Sequence, residues 1–258
     1  MTTTDDQLKQ GRAYYGPASA TTAAGYTLGY SDTEAGRGVP MTPVFQYIMS
    51  TASSALASGI YFSTASQGGT LTATGPLVSG GVATIDFPRC LQITASTNLS
   101  TGLITIRGTD GYGQAMTWTG IGPTGNTIGN TGSFVITSKA FKTVTTASIV
   151  GLASAGLIIG TSNTYGLPYR ISSTSRVVGV YVDGFSFGSS AGTVTAGFAA
   201  TGTHTASAAD VRGTVALATG ALANDTRNFS IGIISPAWGV APGTDTVENT
   251  YGATQFSN

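Results

Sequence analysis

From about residue 60 onward the chain is written in short runs in which apolar residues alternate with threonine or serine. That alternation leaves few folds open. LTATGPLV (71–78), VATIDF (82–87), LQITAS (91–96), LITIRG (103–108), AMTWTG (115–120), SFVITS (133–138) and KTVTTASI (142–149) follow one another closely. A second series runs through VVGVYVDGFSF (177–187), TVTAGFAA (193–200), VRGTVALAT (211–219) and NFSIGIIS (228–235). A period of two puts every second side chain on one face of a strand, so each run reads as a half-buried strand. The chain carries 43 threonines, and their β-branch suits a pleated, half-buried surface. Gly-Gly, Asp-Gly, Gly-Asn and Asn-Thr-Gly separate the runs and signal turns. Short strands at this spacing predict an all-β fold, a jelly-roll-like β-sandwich, and not βαβ units.

The alternation also predicts a core. Phe87, Cys90, Ile93, Ile104, Ile106, Phe134, Ile136, Val144, Val178, Val180, Ile231 and Ile233 occupy alternate positions in apolar runs and are expected to be buried. Residues 1–43 differ in kind. They hold three prolines, repeated small polar residues and tyrosines at 14, 15, 26 and 30, with no sustained period. We read them as an extended N-terminal arm that orders against a partner, with Tyr14, Tyr15, Tyr26 and Tyr30 as its anchors. Residues 44–258 then form the body, with a candidate subdivision at ISSTS (171–175). The stretch 44–60 admits either a helix or a strand, a turn and a second strand.

Charge is scarce. Eleven basic and eleven acidic residues make up 9% of 258 residues, and the formal net charge is zero. Soluble chains average about 25% charged residues. A neutral chain of this kind tends to associate, and the composition points to a protein that meets neighbours over much of its surface. The basic residues are scattered. Lys139, Lys142, Arg170 and Arg176 come nearest to a cluster, which is no stripe for phosphates, so no nucleic-acid partner is expected. No membrane span is expected either, because the most apolar segment (147–160) is short and broken by Gly151 and Gly156. The opening MTTTDDQLKQ lacks the apolar run of a secretory leader.

Candidate chemistry is thin. Cys90 is the single cysteine, inside an apolar run, and reads as a buried inert thiol. GIGPTG (120–125) matches Gly-x-Gly-x-x-Gly, but a strand-like run and not a helix follows it, so no dinucleotide site is expected. His204, the only histidine, has no nucleophile motif beside it. One His and one Cys cannot build a zinc site. TDTVE (244–248) is the closest approach to a carboxylate cluster. Asp110-Gly111 and Asp183-Gly184 read as turns. No catalytic residue, metal or cofactor is expected. Asn98, Asn224 and Asn228 stand in glycosylation sequons, which matter only on a secretory route.

VATIDFPRCLQIT (82–94), LITIRGTDGYGQAMTWT (103–119), SFVITSKAFKTVTTASI (133–149), IIGTSNTYGLPYRI (158–171) and ADVRGT (209–214) together carry a resemblance. Over residues 82–214, about half of the chain, the sequence resembles a group of tailed-bacteriophage structural proteins that includes minor capsid and head-decoration components. Members of that group usually carry an acidic residue near the position of Trp118, and this chain does not. The resemblance implies a capsid cement or decoration protein that binds the assembled head. Its partners would be the major capsid protein and further copies of itself, a trimer being favoured. It implies a place in the virion after synthesis in the bacterial cytoplasm, and it brings no catalytic residues. Other virion parts (tail, adaptor or baseplate) remain an alternative. A carbohydrate-binding adhesin is a third, though it asks for exposed aromatics beside acids or amides, and Trp118 and Trp238 lie in apolar settings.

Overall fold

The structure is a computed structural model. It describes residues 13–15, 26–28, 39–50, 52–63, 69–124, 134–151, 156–168, 171, 174, 177–183, 185–186, 192–197, 205–218 and 227–234. In chain order the strands begin with β1 (Ala13–Tyr15), β2 (Tyr26–Leu28), β3 (Val39–Met49), β4 (Tyr61–Ser63), β5 (Gly69–Leu71) and β6 (Val78–Ser79). Five longer strands follow: β7 (Val82–Ala95), β8 (Leu103–Thr109), β9 (Ala115–Ile121), β10 (Val135–Val150) and β11 (Leu157–Gly166). The last are β12 (Val177–Val182), β13 (Phe185–Ser186), β14 (Gly192–Ala196), β15 (Gly213–Leu217) and β16 (Phe229–Ile234). The fold is all-β, as the alternation predicts. The 44–60 stretch is strand β3 as far as Met49, then turns and irregular backbone that lead into β4.

Two sheets form, and every pairing among the described residues is antiparallel. The ten-stranded sheet runs β14-β15-β11-β7-β10-β8-β9, with β4 on β11, β5 on β10 and β6 on β7. The six-stranded sheet runs β1-β3-β16-β12-β13, with β2 also on β3. The chain crosses from the larger sheet to the smaller between β11 and β12, the span that holds residues 171–175. Strand β3 runs through position 43, and β1 registers Tyr14 against Pro43. The side chains of Tyr14, Tyr15 and Tyr26, and the whole of Tyr30, lie outside the described residues.

The buried apolar side chains fall into two cores, and the larger sheet contributes to both. The ten-stranded sheet curls around the first. Ile85, Leu91, Ile93, Ile104, Ile106, Trp118, Phe141, Val144 and Ile159 meet there. The second lies between the two sheets. Met49, Val180, Val182, Phe229, Ile231 and Ile233 of the smaller sheet close on Tyr165, Val215 and Leu217 of the larger. Ile104 and Ile106 show why the pattern works. They alternate with Leu103 and Arg107, which point to the other face, so one strand serves core and solvent at once. Burial of each such aliphatic side chain contributes about 1.5–3 kcal/mol.

Most of the expected core residues are buried: Cys90, Ile93, Ile104, Ile106, Val144, Val180, Ile231 and Ile233. Phe87 packs partly buried against the second core, and the side chain of Val178 lies outside the described residues. Phe134 and Ile136 are corrections, because they are 49% and 40% exposed. The cause is register. Val135 stands opposite Ile93, so Val135 shares the core face, and Ile136 shares the outer face with Gln92. A run with three consecutive apolar residues offers two phases, and the neighbouring strand selects one.

A β-bulge follows at once. Ile136 registers with Gln92 and Ala140 with Cys90, so Thr137, Ser138 and Lys139 stand against Leu91 alone. Thr137 holds the bulge closed. Its Oγ1 accepts from Leu91 N at 2.8 Å and donates to Lys139 O at 2.9 Å. Such bulges redirect side chains, and this one sends the Lys139 side chain into the interior, where it is 1% exposed.

Candidate functional site

Where the two sheets meet, the chain builds a half-open pocket of about 290 Å³. Tyr47 of β3 forms one wall. Asp86, Phe87 and Pro88 of β7 and Ala140 and Lys142 of β10 form the base. The β8–β9 turn contributes Asp110, Gly111 and Tyr112, and the segments beyond β11 and before β15 contribute Leu167, Pro168, Asp210 and Arg212. Gly111 is required by close approach. A Cβ there would stand 2.8 Å from Pro88 Cγ, so only glycine lets the turn settle onto β7.

The charged groups under this pocket are joined to one another. Asp110 is 2% exposed and Arg212 3%. Asp110 Oδ1 accepts from Tyr112 N at 2.8 Å and Gln114 N at 3.0 Å, and its Oδ2 accepts from Arg212 Nη1. The Arg212 guanidinium also lies over the Tyr112 ring, 4.6 Å from its centroid, a cation–π contact. Asp210 ties the same segment to β10, accepting from Ala140 N at 3.0 Å and Arg212 N at 2.9 Å. Asp110 and Asp210 therefore accept bonds on both oxygens, and neither is presented as a general acid or base.

The outer part of the pocket is less saturated. Asp86 Oδ2 accepts from Ser53 N at 2.7 Å and from Arg89 Nη2 at 2.5 Å, while Oδ1 has no partner among the described residues. Arg89 itself is buried, with its guanidinium 4.5 Å from the Tyr165 ring centroid and a further bond to Ser53 O at 2.6 Å. Lys142 Nζ donates to Ile85 O and Asp86 O, both at 2.7 Å, and an ammonium has a third N–H to give. Tyr112 is 45% exposed at the mouth and donates its hydroxyl to Pro168 O at 2.7 Å. Burial, helped by Tyr112 and Asp86, pushes the Tyr47 phenol up to about 12. It is a neutral hydroxyl at any physiological pH.

A second polar cluster lies beside the pocket and caps an edge strand. β9 ends the ten-stranded sheet, and an open edge invites pairing with another chain. Here the 205–208 segment lies along it. Thr119 N donates to Ala206 O at 3.1 Å, and Lys139 Nζ donates to Thr117 O at 2.9 Å and Thr205 O at 3.2 Å. Ser138 of the bulge holds the same segment through Ala208 O at 3.0 Å. Burial lowers the Lys139 ammonium to about 8, with Asp210 pulling the other way. The Cys90 thiol is fully buried, and burial pushes its pKa well above the ordinary thiol value.

The remaining sequence candidates fall elsewhere. Gly120 and Ile121 of GIGPTG belong to strand β9, which no helix-bound phosphate loop would do. Asp183 sits at φ 51° and accepts from Asn228 N at 2.9 Å, a turn as expected. Asn98 and Asn228 are exposed. His204, Asn224, Trp238 and the 244–248 run lie outside the described residues, and Trp118 is 5% exposed in the first core. The polar network was missed at the sequence level. Asp110-Gly111 carries only the pattern of a turn, and Arg89, Asp210 and Arg212 carry no motif that distinguishes a buried ion from a surface one. Compared with known proteins, the chain matches no family model, no curated protein and no solved structure.

Proposed function

We propose that this protein is an architectural component of a virus particle, a cement or decoration protein that binds and stabilises the assembled head of a tailed bacteriophage. The observation that carries the reading is where the charges go. Ten charged residues are among those described, and five of them (Arg89, Asp110, Lys139, Asp210 and Arg212) are at most 3% exposed. A chain already poor in charge thus turns half of its described charges inward, where they tie strands and turns together. The described outer face is left mostly to uncharged residues, with Ile48, Leu103, Ile121, Phe134, Ile136 and Val150 exposed among them. Such a surface loses less by desolvation when it is covered than a charged one would, which suits a body held among neighbours. The sequence resemblance over residues 82–214 supports the same reading.

In this role the chain acts without cofactor and without catalysis. It contacts the major capsid protein and other copies of itself, with a trimer as the expected unit. Binding to the assembled shell alone stabilises the shell by linkage. The test is to add purified protein to empty capsids and count copies by quantitative mass spectrometry, then follow capsid melting. Copies in the hundreds and a raised melting temperature are expected. Six or twelve copies at a vertex would favour an adaptor, tail or baseplate part, and no binding would reject the reading.

A further inference from the structure

We propose that the pocket between β3, β7 and the β8–β9 turn is a binding site for one neutral sugar ring, a pyranose at the exposed end of a glycan. The inference goes beyond the architectural role and stands independently of it.

Size sets the first limit. A volume of about 290 Å³ lies at the small end of the range for ligand pockets, about 300–1,000 Å³. That is room for one ring and not for a chain of them. Charge sets the second. Asp86, Asp110 and Asp210 are matched by Arg89, Lys142 and Arg212 in or directly beneath the pocket. Lys142 bonds two backbone carbonyls beside the Asp86 carboxylate, so an ion of either sign would meet a like charge next to the opposite one and would lose its hydration on entry.

The available groups define the rest. Asp86 Oδ1 accepts, the third N–H of Lys142 donates, and the Tyr47 hydroxyl does both. Vicinal hydroxyls meet that set well, since each gives one hydrogen and takes another. Around the polar groups stand Tyr112, Pro88, Pro168, Phe87 and Leu167. These are flat or apolar surfaces for the C–H face of a sugar. A purely apolar ligand would strand Asp86 and Lys142, and a phosphate or carboxylate would meet Asp86. The aromatics here are not the tryptophans but Tyr47 of the smaller sheet and Tyr112 of the β8–β9 turn, which only the fold brings together.

For a ligand of about twelve heavy atoms, ordinary ligand efficiency implies a Kd of about millimolar. The experiment is saturation-transfer NMR on the full-length protein with free glucose, galactose, mannose, rhamnose and N-acetylglucosamine in turn, and glycine as a zwitterionic control. At least one sugar should show transfer and glycine none. Tyr47→Phe, which removes only a hydroxyl, should weaken that sugar by about threefold to tenfold. Tyr112→Ala should abolish its signal. Should Tyr112→Ala prove unstable, because Arg212 loses its stacking partner, Tyr47→Phe and Lys142→Met decide the matter. No transfer from any of the five sugars, transfer from glycine instead, or sugar binding unchanged in Tyr47→Phe and Lys142→Met would each overturn the proposal. All arms use isolated protein, so failure here leaves the capsid experiment untouched, and the reverse holds.

Discussion

Lys139 illustrates how a single residue can tie pH to stability. Its ammonium is buried between Thr117 O and Thr205 O, and burial holds its pKa at about 8 against 10.5 when solvated. Between these values the unfolded chain keeps a proton that the folded chain has released. Stability should therefore rise with pH from about 8, until near pH 9 Cys90 begins to oppose it, because its raised pKa makes the folded chain keep a thiol proton that the unfolded chain gives up. Above pH 10 Tyr47 opposes the trend, since its raised pKa makes the folded chain hold a proton that the unfolded one gives up. Urea unfolding at a series of pH values should show the rise, and Lys139→Met should flatten it. Two further variants test which side chains face inward. Ile106→Ala should cost about 2–5 kcal/mol, because Ile106 lies fully inside the first core. Phe134→Ala should cost about 0.5 kcal/mol or less, because half of that ring is in solvent. Equal losses in the two variants would contradict the observed faces. At this scale the sequence was legible wherever apolar and polar residues strictly alternate, as in LITIRG. It was not legible in SFVITS, where the partner strand and not the pattern chooses the inward side.

Strand existence was readable only in part: the alternating runs mark β7 to β10, but β11 answers to none of them, and LTATGPLV (71–78) is strand only at its two ends. Strand partnership was not readable at all. The turn signals placed β7 to β10 well, yet nothing local says that β10 serves β7 along its first half and β8 along its second. Pairing of that kind is decided by shape at specific points. Gly108 is one. A Cβ there would stand 1.9 Å from the backbone oxygen of Thr143, so β8 and β10 meet only because position 108 has no side chain. Gly108→Ala should destabilise by about 1–3 kcal/mol or more, with the loss seen as a lower denaturant midpoint. An unchanged midpoint would show that the strands have room to part. The bulge at 137–139 was equally invisible, since its signal is a threonine hydroxyl closing on a backbone carbonyl two residues on, 2.9 Å away, and not a recognisable motif. The polar network around Arg212 shares that property. Its members come from four separated segments, and only the fold brings Asp110 to Arg212.

For the whole molecule, the open matter is how much of the N-terminal region the body needs. β3 pairs with β16 from Val44 to Met49, and this contact survives if the chain begins at Pro43. β1 and β2 and their contacts with β3 are then lost. We expect the shortened chain to fold with a melting temperature close to that of the full chain, by calorimetry, and to bind empty capsids far more weakly. A collapsed melting transition would assign residues 1–43 to the core. Undiminished capsid binding would assign attachment to the sandwich surface.

The β3–β16 pairing has a further consequence, for synthesis. Phe229 registers with Met49 and Ile234 with Val44, so the partners are 180 to 190 residues apart. At bacterial and eukaryotic rates of about 5–20 residues per second, β3 leaves the ribosome roughly ten to forty seconds before β16 exists. Through that interval β3 has no permanent neighbour on one side, whereas the first core, drawn from residues 60 to 159, is complete in the nascent chain well before β16 begins at Phe229. The larger sheet's core can therefore form during translation. The smaller sheet closes only after it, and the strand made among the first is among the last to be secured.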